Sequence, residues 1–460
     1  MEAAFAVNPP KRAEVRLGFV TLAQPHQDLE QAQRAQQGMA QQIQDLGATP
    51  VLCDRFVMDR DSLAYVIAQL KNGQVNALLL LFGSYGPDDF ALELSREFAV
   101  PLIMWAPPEP LSPDRFPPNG SLVGLTQTAG TMERLGRRVY PFFGDVGDPQ
   151  IRKGIGRILR LISVARTLRH ARVGMVGLGC PGMLDTHFDD LLLRAQLGLE
   201  IVHIPIVDFI CMYARIPDRE AGTLAKLLQD NYPVREPVDE HFVSSAKVYL
   251  ALRRLILEHD LSAVSVRCWP ELKAHDIVSP CLALSLLADQ GIQAACEGDG
   301  SAAVSMLILY LLTEKPVYFG DFLHVDEQTD EVLMFHCGSG AFGLSDASKG
   351  LTLRTNSWPA VWKPGVTVEF PVRAGPVTFL RFGQKGHAFR ALIARGVAVD
   401  HVPFCRGTTM RVRPDMGARA MLDGLIRMGT EHHQLVGMGD VKDDAIALCE
   451  LWGIQPDVIG

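Results

Sequence analysis

Three acidic side chains and one histidine fall where short apolar runs end. Glu297 and Asp299 lie in the segment CEGD, Asp321 follows PVYFG, and His336 follows EVLMF. Carboxylate oxygens and an imidazole nitrogen at successive strand ends are ligands for a hard or borderline divalent cation such as Mn²⁺ or Mg²⁺, in preference to a thiolate-loving one. Asp299 directly precedes a helix-length apolar run. A negative side chain there is favoured by the helix dipole, so Asp299 reads as a cap and Glu297 as the ligand. The intervening glycines leave room for a substrate to approach. Cys296 and Cys337 flank these residues and read as small buried side chains, with a reactive thiol as the alternative. His275, His324 and His387 read as structural or surface residues.

The elements that must position this set follow from the apolar pattern. Gln293 to Cys296 ends a strand-like run, Ser301 to Leu312 has helical length and spacing, and Pro316 to Gly320 is again short and strand-like. A helix that links two short apolar strands usually returns the chain to a parallel neighbour in one sheet. Glu297 and Asp321 are therefore expected at one sheet edge, facing the crevice in which open α/β sheets bind ligands. A third strand, Glu331 to Phe335, is expected to bring His336 to the same place. Arg267 and Trp269, in SAVSVRCWPEL, flank another strand end and are candidates for substrate contact.

Two alternations of strand and helix precede the change of texture near Leu351. The first runs from VRLGFVTL to VPLIMW, and the second from VGMVGLGCPGM to EVLMFHCG. Such alternation implies a parallel sheet with helices on both faces. After Leu351 the chain turns to short runs such as VTVEFPV, GPVTFLRF and RALIARGVAV, which suggest an antiparallel, barrel-like region with a closing helix. The fold expected is therefore α/β, with two Rossmann-like parallel-sheet domains followed by a β-rich one. Their bounds are 1–143, 144–350, which carries the metal ligands, and 351–460. A length of 460 residues accommodates roughly that many domains.

Composition excludes several classes of function. A formal net charge of −8 and the lack of a dense Lys and Arg run argue against a nucleic acid partner. The start, MEAAFAVNPPKRAEVRLG, lacks the basic and apolar regions of an export signal, and the longest apolar stretch is far below the ~18 residues of a membrane span. A cytoplasmic protein without a membrane partner is expected. Nine dispersed cysteines without a CxxC pair provide neither a zinc ribbon nor a thioredoxin motif.

One motif competes for attention. Gly177, Gly179 and Gly182 have GxGxxG spacing after a strand, with Glu200 about 20 residues on, where a dinucleotide fold places its ribose-binding acid. The fingerprint needs amide N–H groups turned to a pyrophosphate at a helix N-terminus. Pro181 removes one such donor, and the acidic DTHFDD that follows repels phosphate. A plain tight turn is the better account, and no nucleotide cofactor is expected.

CEGDGSAAVSMLILYLLTEKPVYFGDF with HCGSG, RCWPEL upstream, and GPVTFLRF, EHHQLVGMGD and LCELWGI downstream together resemble the L-fucose isomerase and L-arabinose isomerase superfamily. The likeness is good over residues 260–460 and architectural before that. It implies an aldose-ketose isomerase with a divalent metal, usually Mn²⁺, in three-domain subunits that assemble as trimers or hexamers. Carried across by motif, Glu297 and Asp321 become metal ligands and the acid/base pair, His433 becomes the imidazole ligand with His432 second to it, and His336 resembles an extra histidine of the arabinose branch. Moving a carbonyl from C1 to C2 requires a proton to be removed and returned one carbon over through an enediol, which suits a carboxylate beside a Lewis acid. A neutral sugar such as L-fucose is the leading substrate, with an anionic sugar such as sulfoquinovose as the alternative. The rival classes are an NAD(P)-dependent oxidoreductase and a non-catalytic sugar-binding protein.

Overall fold

In the computed structural model, residues 5–110, 113, 118–356 and 361–459 are described. The chain divides into two compact units: Arg12–Arg166, and a unit that joins the segment up to Lys11 with Thr167 onward.

The first unit is built on a five-stranded, all-parallel sheet. Its strands are β1 (Val15–Leu22), β2 (Ala48–Leu52), β3 (Ala77–Phe82), β4 (Leu102–Ala106) and β5 (Val139–Phe143), in the order β2-β1-β3-β4-β5. In β3, ALLLLF, every residue is buried, as a strand covered on both faces requires. The helix Arg60–Asn72 opens with a reciprocal cap between Asp59 and Ser62, a sequence-local signal for its start.

The second unit contains a four-stranded parallel sheet and a nine-stranded mixed sheet. The parallel sheet comprises β6 (Arg172–Val176), β7 (Glu200–Ile204), β8 (Ala263–Val266) and β9 (Gln293–Ala295), ordered β7-β6-β8-β9. The mixed sheet comprises β10 (Val317–Asp326), β11 (Glu331–His336), β12 (Thr352–Thr355), β13 (Val366–Pro371), β14 (Gly375–Lys385), β15 (Ala388–Ala398), β16 (Thr408–Pro414), β17 (His433–Met438) and β18 (Gln455–Ile459). Its order is β12-β13-β16-β11-β10-β17-β14-β15-β18, with a further β15–β16 pairing. The N-terminal segment is tied into this unit: the Val7 amide donates to Gln290 Oε1 at 3.1 Å, and Arg253 Nε donates to the Ala6 carbonyl at 3.0 Å.

Two expectations are corrected here. The strands on either side of the helix Gly300–Thr313 are not parallel neighbours. β9 closes the four-stranded sheet, whereas β10 runs antiparallel between β11 and β17 in the mixed sheet. The helix explains the misreading. All its residues are buried except Tyr310 and Thr313, so it has no solvent face, and it packs on elements of both sheets rather than recrossing one. The C-terminal region, for its part, is mixed and not purely antiparallel, since β13 pairs with β16 and β15 with β18 in parallel. The β15–β16 pairing is what the structure offers toward the barrel-like closure expected there. No helix among the described residues is long and apolar enough to cross a membrane.

Candidate active site

The loop after β9 bends sharply. Glu297 has φ +63° and Gly298 φ +74°, consecutive left-handed residues, a conformation that costs a non-glycine residue of order 1–3 kcal/mol and collects at functional sites. Neighbouring backbone holds the bend in place. The Cys180 amide donates to the Glu297 carbonyl at 3.1 Å, and the Gly298 amide donates to the Val266 carbonyl at 3.1 Å. A Cβ on Gly298 would stand 2.4 Å from the Leu178 carbonyl oxygen and 2.8 Å from the Gly179 Cα. The glycine-rich GLGC loop is thus packed against the Glu297–Gly298 peptide, in keeping with its reading as a tight turn, and Glu200 is ion-paired with Arg172 at 3.4 Å.

Asp299 caps the helix as the sequence suggests: its Oδ1 accepts from the Ala302 amide at 2.8 Å. It has a second task that the sequence did not disclose. Its Oδ2 lies 2.9 Å from His433 Nδ1, and Arg381 Nη2 donates to both carboxylate oxygens at 3.1 and 2.9 Å. Arg381 and Asp299 are fully buried, so each charge depends on the other. Burial alone would raise the Asp299 carboxyl, but Arg381 and His433 hold it well below the usual carboxylate range. Glu431 approaches Arg381 Nε at 3.4 Å, and burial pushes its carboxyl upward against that cation.

His433 opens β17 directly opposite Asp321 of β10, and this antiparallel register brings together residues that lie far apart in sequence. Its Nε2 is 2.7 Å from Glu297 Oε2 and 4.0 Å from Asp321 Oδ1. Asp321 Oδ1 is buried without a hydrogen-bond partner among the described residues. Burial disfavours the imidazolium of His433, but hydrogen bonds to Asp299 and Glu297 outweigh it and raise its pKa to about 10. Glu297 is raised by burial and lowered more by His433, ending below its ordinary value. The Phe319 ring contacts both His433, at 4.4 Å, and His336, at 4.9 Å.

The remaining sequence candidates fall as follows. One ligand atom each from Glu297, His432 and His433 lies within 4.8 Å of the others, so both histidines reach the site. His432 is more exposed and is tied to Asp185, with Nδ1 2.7 Å from Oδ2 and its amide donating to the same oxygen at 3.0 Å. His336 is buried, with Nδ1 3.0 Å from Ser339 Oγ, and among the described residues it joins no such group of ligand atoms. Arg267 is ion-paired with Glu271 at 2.6 Å, while its buried Nε has no hydrogen-bond partner among the described residues. The Trp269 carbonyl accepts from the Cys180 thiol at 3.4 Å.

The donor set fits a divalent cation. One carboxylate and two imidazoles, of Glu297, His432 and His433, converge, the Asp321 carboxylate oxygen 4.0 Å from His433 Nε2 is buried and unmatched among the described residues, and the His433 imidazole is oriented through its other nitrogen by a carboxylate, as metal-bound histidines commonly are. Sequence reading missed Asp185, Arg381, Glu431 and the second role of Asp299. The one available signal was Arg381, a charge inside the otherwise apolar run of β14.

A solved ABC transporter solute-binding protein from Burkholderia multivorans is 10% identical and covers 66% of this chain and 95% of its own, with a TM-score of 0.19, which bears on neither fold nor function. No protein-family model matches the chain. Curated relatives do match. A protein from Priestia aryabhattai is 25% identical over 96% of this chain and 98% of its own length. Others from Alkalicoccus urumqiensis and Clostridium sp. (strain MSTE9) are 26% and 27% identical over 81% and 80% of this chain, each covered over 83% of its length. With relatives of this kind along nearly its whole length, the chain is an enzyme, an intramolecular oxidoreductase of the aldose-ketose isomerase class. The particular activity those relatives carry by name is sulfoquinovose isomerase.

Proposed function

We propose that this enzyme isomerises an anionic aldose, a sulfonated hexose of the sulfoquinovose kind, to its ketose with the help of a divalent metal. The sulfonated substrate replaces L-fucose as the leading reading because every matched relative named above is a sulfoquinovose isomerase. The observation that carries the mechanism is the grouping of Glu297, His432 and His433 ligand atoms within 4.8 Å of one another, with Asp321 Oδ1, buried and unmatched among the described residues, 4.0 Å from His433 Nε2.

Glu297, Asp321 and His433 would hold the metal, Mn²⁺ or Mg²⁺ by donor type, with His432 within reach. When bound, the metal would supply Lewis acidity that stabilises the negative charge of the enediol. The protein's residues move the proton. One of the two carboxylates takes it from C2, and it is returned to C1 as the enediol collapses to the ketose. Asp299 holds the imidazole of His433 by Nδ1, so that Nε2 faces the other two ligands. Arg381 fixes Asp299 in turn.

The resemblance of residues 260–460 to L-fucose and L-arabinose isomerases supports a homo-oligomer, trimer or hexamer, and nine free thiols suit a reducing cytoplasm. Light scattering on the purified protein tests the first. The substrate is tested by kcat/KM for sulfoquinovose against L-fucose, L-arabinose and D-glucose with Mn²⁺ present. The proposal expects the sulfonated sugar to lead by at least about a hundredfold, the scale on which a charge-recognising site rejects a neutral analogue. Preference for a neutral aldose overturns it.

A further inference from the structure

Glu297 also touches a second donor set that isomerase chemistry does not use. The Cys268 and Cys296 sulfurs and one Glu297 carboxylate oxygen all lie within 4.8 Å of one another. Cys268 follows β8 and Cys296 follows β9, adjacent parallel strands, and both thiols are buried, at 0% and 1% exposure. Cys180, just beyond β6 on the other side of β8, is in thiol contact with Cys268. Three thiols thus line the C-terminal edge of three neighbouring strands, at the position where such sheets bind ligands.

Their spacing suits a soft cation. In tetrahedral zinc the metal-sulfur distance of about 2.3 Å places two thiolates roughly 3.8 Å apart, so closing this set around an ion asks for adjustments of about 1 Å or less. Two sulfurs and one carboxylate oxygen select a thiophilic ion, whereas the oxygen-rich set of Glu297, Asp321 and His433 admits Mn²⁺, which stands lowest among the first-row divalent ions in general affinity.

We infer that Cys268, Cys296 and Glu297 form a second metal site, specific for thiophilic divalent cations such as Zn²⁺ or Cd²⁺, which shares Glu297 with the isomerase site and inhibits the enzyme when filled. Each thiol gives its proton to solvent as its bond to the metal forms, and no electron is transferred. The inhibitory consequence rests on the role proposed for Glu297, whereas the binding stands on the thiols alone.

Cadmium tests both. The full-length protein, reduced with a phosphine, is titrated with Cd²⁺ with and without bound Mn²⁺, while thiolate-to-cadmium charge-transfer absorption in the ultraviolet and isomerase turnover are followed. Variants Cys268→Ser and Cys296→Ser are compared with Cys211→Ser, which removes an exposed thiol elsewhere. Alanine variants replace either serine variant that fails to fold. The expected result is saturable absorption that survives Cys211→Ser and is lost in the other two. The inhibition constant, taken relative to each variant's own uninhibited rate, should rise on the order of 10–100-fold or more in the Cys268 and Cys296 variants. Absorption that persists in both overturns the site, as does inhibition without absorption, which would mean displacement of Mn²⁺ alone. Cysteine-dependent absorption with undiminished turnover overturns the sharing of Glu297. If no form of the protein isomerises any sugar, the absorption still decides the thiol site while the functional proposal falls separately.

Discussion

Replacing Asp299 by asparagine keeps one of the three roles that this carboxylate performs, the helix cap, while it alters the partner of His433 and removes the counter-ion of buried Arg381 at some cost in stability. Asparagine caps helices as well as aspartate does, and its oxygen can keep the bond to the Ala302 amide, so the helix Gly300–Thr313 should retain its start. The amide then takes the place of Oδ2, 2.9 Å from His433 Nδ1. An N–H facing Nδ1 makes that nitrogen an acceptor and moves the imidazole proton to Nε2, the nitrogen turned toward Glu297 and Asp321. Loss of such an orienting partner typically weakens metal binding 10–100-fold, or about 1.4–2.7 kcal/mol. Calorimetric titration of metal-free Asp299→Asn with Mn²⁺ reads this directly, and circular dichroism confirms the fold. Asp299→Ala should show the same loss of affinity and, in addition, a loss of roughly 3–5 kcal/mol of stability, most of it from leaving buried Arg381 without its counter-ion and about 1 kcal/mol from the missing cap. Parent-like Mn²⁺ affinity in a folded asparagine variant would reduce Asp299 to a helix cap and refute the orienting role.

Three further outcomes are expected. Glu297→Gln should still bind sugar, by equilibrium titration, yet lose turnover on the order of 10²-fold or more, and retained turnover would exclude Glu297 from proton transfer. His433→Ala should weaken Mn²⁺ binding and diminish the Mn²⁺-induced rise in melting temperature more than His432→Ala does, since His433 is buried between two carboxylates and His432 is half-exposed beside Asp185; the reverse order would exchange the two assignments. Gly298→Ala, whose new Cβ would meet the Leu178 carbonyl at 2.4 Å, should lower the melting temperature and turnover well beyond Gly453→Ala, where φ is +66° but nothing lies within 4 Å; equal effects would show that the GLGC loop does not brace Glu297.

Much of the site could be read from sequence because its signals are local. CEGD marks a strand end and a helix cap within four residues, and Asp299 is that cap. The βα alternation of the first unit was equally plain, since strands such as β3 are apolar throughout. What could not be read is how distant segments meet. An all-apolar helix carries no record of which sheets it joins, so the sequence pattern points β10 to the sheet of β9, whereas β10 hydrogen-bonds to β17. The partners of His433 follow from that same cross-strand register, which no spacing in the sequence encodes. His336, a possible additional ligand because it too ends a strand, holds its Nδ1 toward Ser339, a contact that no spacing in the sequence announces. Arg381 shows the reverse case: its position in β14 was visible, but a buried arginine names its counter-ion only once the strand is packed.

The activity proposed for this enzyme is metal-dependent conversion of a sulfonated aldose beside Glu297, Asp321 and His433. The most direct test is to strip the enzyme with a chelator, confirm removal by elemental analysis, and follow sulfoquinovose by proton NMR in D₂O before and after adding Mn²⁺. The prediction is no ketose from stripped enzyme, and restored conversion with solvent deuterium in the product once Mn²⁺ is supplied. Full conversion by verified metal-free protein, or none by the Mn²⁺-loaded enzyme, would contradict it.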